Sequence, residues 1–238
     1  MKYFRHEIEI LFDRLKSGKK FSFSKYADGE WEILNDRSIV IPIWEEFRCE
    51  DSDEYIGPRQ ALKNSFMYKD SGYYVGIGCP CCMGEEHYQM KTLSSQDDDQ
   101  LTFANVFVNG NYRFFIDNFI PEFKNHDIHL IANENISLDA LPFSVEEFYP
   151  VGTNAWVHDA DYIDEILAGG YENKLFLFCC GPLGNILAHR LWEKNKNNVY
   201  LDIGSTLDPF WPNGHPKPRG YYDGSGEYHN KICSWGNN

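Results

Sequence analysis

Short runs of β-branched and aromatic residues alternate along the chain with longer stretches whose apolar positions recur at helical spacing. This is the pattern of an α/β protein with a mostly parallel, doubly wound sheet flanked by helices. Seven strands are expected, over Lys20–Ser24, Tyr73–Ile77, Thr102–Phe107, Ile128–Ala132, Val145–Tyr149, Lys174–Cys179 and Val199–Ile203. The last two are continuously apolar, as strands covered on both faces should be. Helices are expected over His6–Lys16, Gly29–Asn35, Asp53–Tyr68, Glu85–Lys91, Asn111–Phe119, Asp159–Ala168 and Pro182–Lys194. In the last of these, Pro182 suits the first helical position, and Leu183, Ile186, Leu187 and Leu191 mark one apolar face.

A length of 238 residues suits one compact domain spanning 1–238. From Asp208 onward the composition turns to Pro, Gly, Tyr and Asn, so 208–238 is expected to be a loop-rich tail. With 42% hydrophobic and 16% aromatic residues, the chain can fill an interior. Its formal net charge of -14 opposes binding to phosphate backbones or anionic lipid, so no nucleic-acid partner is expected. The longest apolar stretch, Leu175–Ala188, is broken by Gly181-Pro182 and Gly184, and no integral membrane segment is expected. Charges throughout the first 20 residues argue against a signal peptide, and an odd set of seven cysteines then favours reduced thiols and a cytoplasmic setting.

In a doubly wound sheet, ligands sit beyond the carboxyl ends of the strands. Three strand ends stand out. After the first strand comes Lys25-Tyr26-Ala27-Asp28-Gly29-Glu30, where carboxylates at i and i+2 of an extended chain would project to one side and share a divalent cation, with Gly29 admitting a diphosphate. The competing expectation is that these residues only cap a helix beginning near Glu30. After Lys174–Cys179 comes Cys180-Gly181-Pro182-Leu183-Gly184, a helix start whose amides can hold phosphate. After Val199, the sequence Asp202-Ile203-Gly204-Ser205-Thr206-Leu207-Asp208 offers groups for a nucleotide, a sugar or an acceptor hydroxyl, unless Asp202 is a buried cap for backbone amides. Asn105 and Asn109 cluster where the strand Thr102–Phe107 turns into a helix and could read a base or sugar hydroxyls, although ordinary capping and turn chemistry is the favoured reading of each.

Taken together, Ser22 to Glu30, Gly181 to Gly184 and Asp202 to Ser205 resemble, in order, the motifs of the GT-D-type glycosyltransferases over about residues 20 to 210. The resemblance implies a Rossmann-like fold, a UDP-sugar donor (a hexose such as glucose), a glycan acceptor and a Mn2+ or Mg2+ ion held by Asp28 and Glu30. It also implies donor contacts from Lys25, Gly29, Asn105, Asn109, Gly181, Gly184, Asp202, Gly204 and Ser205. The chain departs from the motif at Lys25, where arginine is usual, and at Ala27, where glycine is usual. Lysine keeps the charge but loses the bidentate fork. Asp208, just past a strand end, is the expected general base toward the acceptor hydroxyl.

Two other enzyme classes leave partial signatures. Asp202-Ile203-Gly204-Ser205 is similar to the first motif of S-adenosylmethionine-dependent methyltransferases, but it lacks further glycines and lies late in the chain. Cys79-Pro80-Cys81-Cys82 after a strand has the layout of a thioredoxin-like redox motif, or half of a zinc site completed by Cys179 and Cys180. Packing near the cleft is the expected role of these thiols. A noncatalytic glycan-binding module on the same fold is the third alternative.

Overall fold

The computed structural model describes residues 2–40 and 48–211. Its strands are β1 (Ser22–Lys25), β2 (Ile39–Val40), β3 (Arg48–Cys49), β4 (Tyr73–Ile77), β5 (Leu101–Phe103), β6 (Ile128–Asn133), β7 (Glu147–Val151), β8 (Leu175–Cys179) and β9 (Val199–Asp202). Seven of them form one sheet in the order β5-β4-β1-β9-β8-β6-β7, with every neighbouring pair parallel. All seven expected strands are present, within a few residues of their expected bounds. The short antiparallel pair β2 and β3 was not expected.

The alternation Ser22-Phe23-Ser24 explains how β1 sits at the centre. On one face the small serines let the helix Pro182–Lys194 approach closely: Ser22 Oγ donates to the Ala188 carbonyl at 2.8 Å, and Asn185 Nδ2 donates to Ser24 Oγ at 3.0 Å and to the Lys25 carbonyl at 2.6 Å. On the other face Phe23 enters an aromatic layer, with its ring 5.3 Å from Phe107, which lies 5.2 Å from Phe119. Gly76 of β4 makes room for this layer, since a Cβ there would lie 2.9 Å from the Phe23 ring. Apolar side chains therefore fill both sides of the sheet, a source of stability of about 25 cal/mol for each Å² removed from water.

Some elements differ from expectation for local reasons. The helix expected over Asn111–Phe119 is a 3-10 turn (Asn109–Asn111), a helical turn (Tyr112–Phe114), a π-helical stretch (Phe115–Phe119) and a further turn to Phe123. Pro121 has no N–H to return to the Asp117 carbonyl, so the regular ladder cannot pass through it. The strand expected over Thr102–Phe107 stops at Phe103, and residues 104–108 leave the sheet. Of the expected tail, Asp208 to Phe210 belong to a 3-10 segment, Gly204–Phe210, and 212–238 lie outside the described residues. No helix among the described residues is long and apolar enough to cross a membrane.

Candidate functional site

The chain leaves β1 toward β4 and enters β9 from β8, so the connections diverge between two neighbouring central strands. That divergence opens a crevice at their carboxyl ends, the usual ligand position in such sheets. A cavity of about 380 Å³ lies there. Lys25, Ala27 and Asp28 line it from the end of β1, Ser205 and Thr206 from beyond β9, Gly78, Cys79, Cys82 and Met83 from beyond β4, and Asn105, Phe107, Val108 and Asn109 from beyond β5.

Beneath the cavity, Asp202 ties β9 to β1. Its Oδ2 accepts the Lys25 amide at 3.1 Å and its Oδ1 the Gly204 amide at 3.2 Å, and the side chain is 2% exposed. Burial pushes the Asp202 carboxyl up to about 7, against the pull of Lys25. Gly184 allows this placement, because a Cβ there would meet Phe178 Cβ at 3.0 Å and the Asp202 carboxyl at 3.4 Å. Gly204, at φ +54°, serves a second approach: a Cβ there would lie 2.4 Å from Lys25 Cε, so the lysine stem passes directly across the bare backbone.

The acidic pair does not have the geometry expected of an extended chain. Residues Asp28–Leu34 are helical, which places Asp28 and Glu30 in one turn at positions that do not face each other. Asp28 is exposed on the cavity. Glu30 is 7% exposed and turns back, its Oε2 accepting the Ala27 amide at 2.8 Å as the acidic half of a capping box. Asp28 thus fits a divalent ion that a diphosphate also coordinates, whereas Glu30 would have to give up its cap to join it.

Among the residues singled out in the sequence, Lys25, Asp28, Asn105, Asn109 and Ser205 meet on the cavity. Gly29, Glu30, Gly181, Gly184, Asp202 and Gly204 support it from behind without lining it. Gly181 starts the helix Pro182–Lys194 with φ +57°. Asp208, half-buried, also stands off the lining; its charge acts on Tyr112 and Cys179. Sequence reasoning missed Ala104, Phe107 and Val108 as lining residues. The strand-end rule would have found them had the strand been expected to stop at Phe103.

The cysteines also depart from expectation. Cys79 is buried in the core as expected, but Cys81 and Cys82 are exposed, so interior packing is not the role of those two. Cys179 ends β8 and Cys180 follows it, and β1 and β9 separate β8 from β4, about 14 Å at the usual strand spacing, so they do not complete a site with Cys79. Burial pushes both of these thiols well above the ordinary range, with nearby acids adding to it.

Solved structures similar to the chain include a glycosyltransferase (domain of unknown function 1792) of Streptococcus sanguinis, at 15% identity and a TM-score of 0.61 over 85% of this chain and 81% of that one. The chain has its fold. A selenomethionine-substituted domain of unknown function 1792 aligns at 15% identity with a TM-score of 0.55, covering 85% and 78% of the two chains. A domain of the same designation, described as a distinct glycosyltransferase fold, aligns at 14% with a TM-score of 0.56 and the same coverage. No family model and no curated protein matches the sequence.

Proposed function

We propose that the chain is a glycosyltransferase whose donor, a UDP-hexose, occupies the cavity beyond β1, β4, β5 and β9. The observation that carries this reading is the pairing of Lys25 and Asp28 on one wall of a cavity at the sheet's switch point, on a fold shared with a glycosyltransferase. A volume of about 380 Å³ falls within the ordinary range for small-molecule sites. Lys25 brings positive charge to a chain of net charge -14 that must receive a diphosphate. Asp28 would hold Mn2+ or Mg2+ jointly with the donor phosphates, and the ion supplies charge to the departing UDP. Glu30 keeps the turn in shape, and Asn105 and Asn109 offer amides to the uracil or the sugar hydroxyls.

Transfer forms a bond from an acceptor hydroxyl of a glycan to the anomeric carbon as the bond to the diphosphate breaks. In an inverting reaction the hydroxyl proton passes to a carboxylate, for which Asp208 is our choice. Reduced thiols suit a cytoplasmic setting for this chemistry.

The methyltransferase reading is weaker, because both carboxyl oxygens of Asp202 already accept backbone amides. Calorimetric titration of UDP-glucose with and without Mn2+ tests the proposal, which expects metal-dependent binding. Binding of S-adenosylmethionine instead would favour the methyltransferase, and glycan binding without donor binding the noncatalytic module.

A further inference from the structure

Cys79, Cys81 and Cys82 bring three sulfur atoms within 4.8 Å of one another, and Cys79 Sγ lies 3.1 Å from Cys81 Sγ. A tight turn produces this convergence. Cys79 is extended (φ -75°, ψ 157°) and precedes the helical turn Pro80–Met83, closed by bonds from the Cys82 and Met83 amides to the Cys79 carbonyl at 3.0 and 2.9 Å. A residue preceding a helical turn directs its side chain over the second and third helical positions, here Cys81 and Cys82. Pro80 fixes the first helical position, ahead of both.

The turn is also anchored from outside. His87 Nδ1 lies 2.7 Å from the Gly78 carbonyl, and burial lowers the affinity of this imidazole for a proton. Met83 packs over Gly78 so closely that a Cβ there would be 2.2 Å from Met83 Cγ. The three thiols are therefore presented by a backbone held on both flanks.

We propose that Cys79, Cys81 and Cys82 form a three-thiolate binding site for Zn2+ in the wall of the cavity. Thiolates are soft ligands suited to Zn2+ and poorly suited to Mg2+ or Mn2+, so this site would not compete with Asp28 for a hard cation. Zinc–sulfur bonds of about 2.3 Å in a tetrahedron set the sulfurs about 3.8 Å apart, within the spread found here, so small rotamer changes close the site. Binding replaces three S–H bonds with three S–Zn bonds and releases the protons to solvent. Cys79 and Cys82 also line the cavity that holds Lys25 and Asp28, which leaves the fourth coordination position for water or a cavity ligand.

The proposal does not rest on the glycosyltransferase reading, and its test needs no donor. Zn2+ is titrated into the reduced full chain against a chromophoric chelator, and Co2+ is substituted to read the ligands by absorption. The expected result is one Zn2+ per chain and a near-ultraviolet thiolate-to-Co2+ band. Cys79→Ser, Cys81→Ser and Cys82→Ser should each weaken Zn2+ binding about a hundredfold and reduce the band by about a third. A chain carrying both Cys179→Ser and Cys180→Ser should bind as the parent does. Absence of stoichiometric binding, a Co2+ spectrum without the thiolate band, or binding that is unchanged in all three single variants would overturn the site. The parent spectrum reads the ligands without a variant, so a substitution that unfolds the chain does not spoil the test.

Discussion

The amide of Lys25 donates to the carboxylate of Asp202 across the β1–β9 seam at 3.1 Å, so the lysine that lines the cavity is fixed at its backbone by an acid buried beneath it. Burial raises the Asp202 carboxyl to about 7, far above its unfolded value. Its contribution to stability is therefore full below about pH 4 and is lost as the pH rises through about 7, at up to about 1.4 kcal/mol per pH unit in that window. Asp202→Asn should flatten this dependence. Urea unfolding at pH 5 and pH 8 checks it; an unchanged difference between the two would mean that another group carries the effect.

Histidines should produce the opposite trend. The His189 ring lies tilted against Tyr68, 4.4 Å between ring centres, and burial lowers its pKa, so its contribution is present above the unfolded histidine value and lost as the pH falls below it. His189→Phe keeps a ring against Tyr68 and removes the titration. Compared with the parent, this variant should lose less stability between pH 7 and pH 5 in thermal melts; an equal loss would refute the assignment.

Asp28 and Glu30 should separate experimentally. Asp28→Asn changes an exposed residue and should leave the melting temperature alone while weakening Mn2+-dependent UDP-sugar binding at least about tenfold. Glu30→Ala leaves the Ala27 amide without its cap and should cost about 0.5–2 kcal/mol of stability, with donor affinity within about threefold of the parent. Equal loss of metal-dependent binding in both variants would restore the carboxylate pair as joint ligands.

Gly204 should behave as a substitution of Lys25 at a distance. Alanine at φ +54° costs about 1 kcal/mol, and its Cβ would displace the lysine stem. Gly204→Ala and Lys25→Ala should each weaken donor binding about tenfold, a difference of about 1.4 kcal/mol, with little further loss in the double variant. Calorimetry of the four proteins checks this, and full additivity would argue that Gly204 acts separately.

The sheet was legible because buried parallel strands are spelled as apolar runs, and the helix Pro182–Lys194 matches its expected bounds because proline and leucine spacing fix both its start and its face. The site was only partly legible. Asp28-Gly29-Glu30 is compatible both with an extended chain and with the first turn of a helix, and the choice depends on whether Glu30 finds the Ala27 amide, a contact with no periodicity. Residues 104–108 have strand-forming composition, yet Phe107 is drawn into the aromatic layer with Phe23 and Phe119. Convergence of the three sulfurs depends on a proline turn and a histidine nine residues beyond Gly78, a tertiary arrangement that spacing alone does not specify.

The place of β1 between β4 and β9 also has a kinetic consequence. Phe23 has two strand neighbours, Tyr74 and Leu201, and the second lies nearly 180 residues further along the chain. During synthesis, residues 22–25 can pair with β4 early but keep one edge open until β9 has emerged. A strand with an edge of unpaired amides is a ready partner for another chain, so nascent molecules halted before residue 199 should be the species most prone to associate.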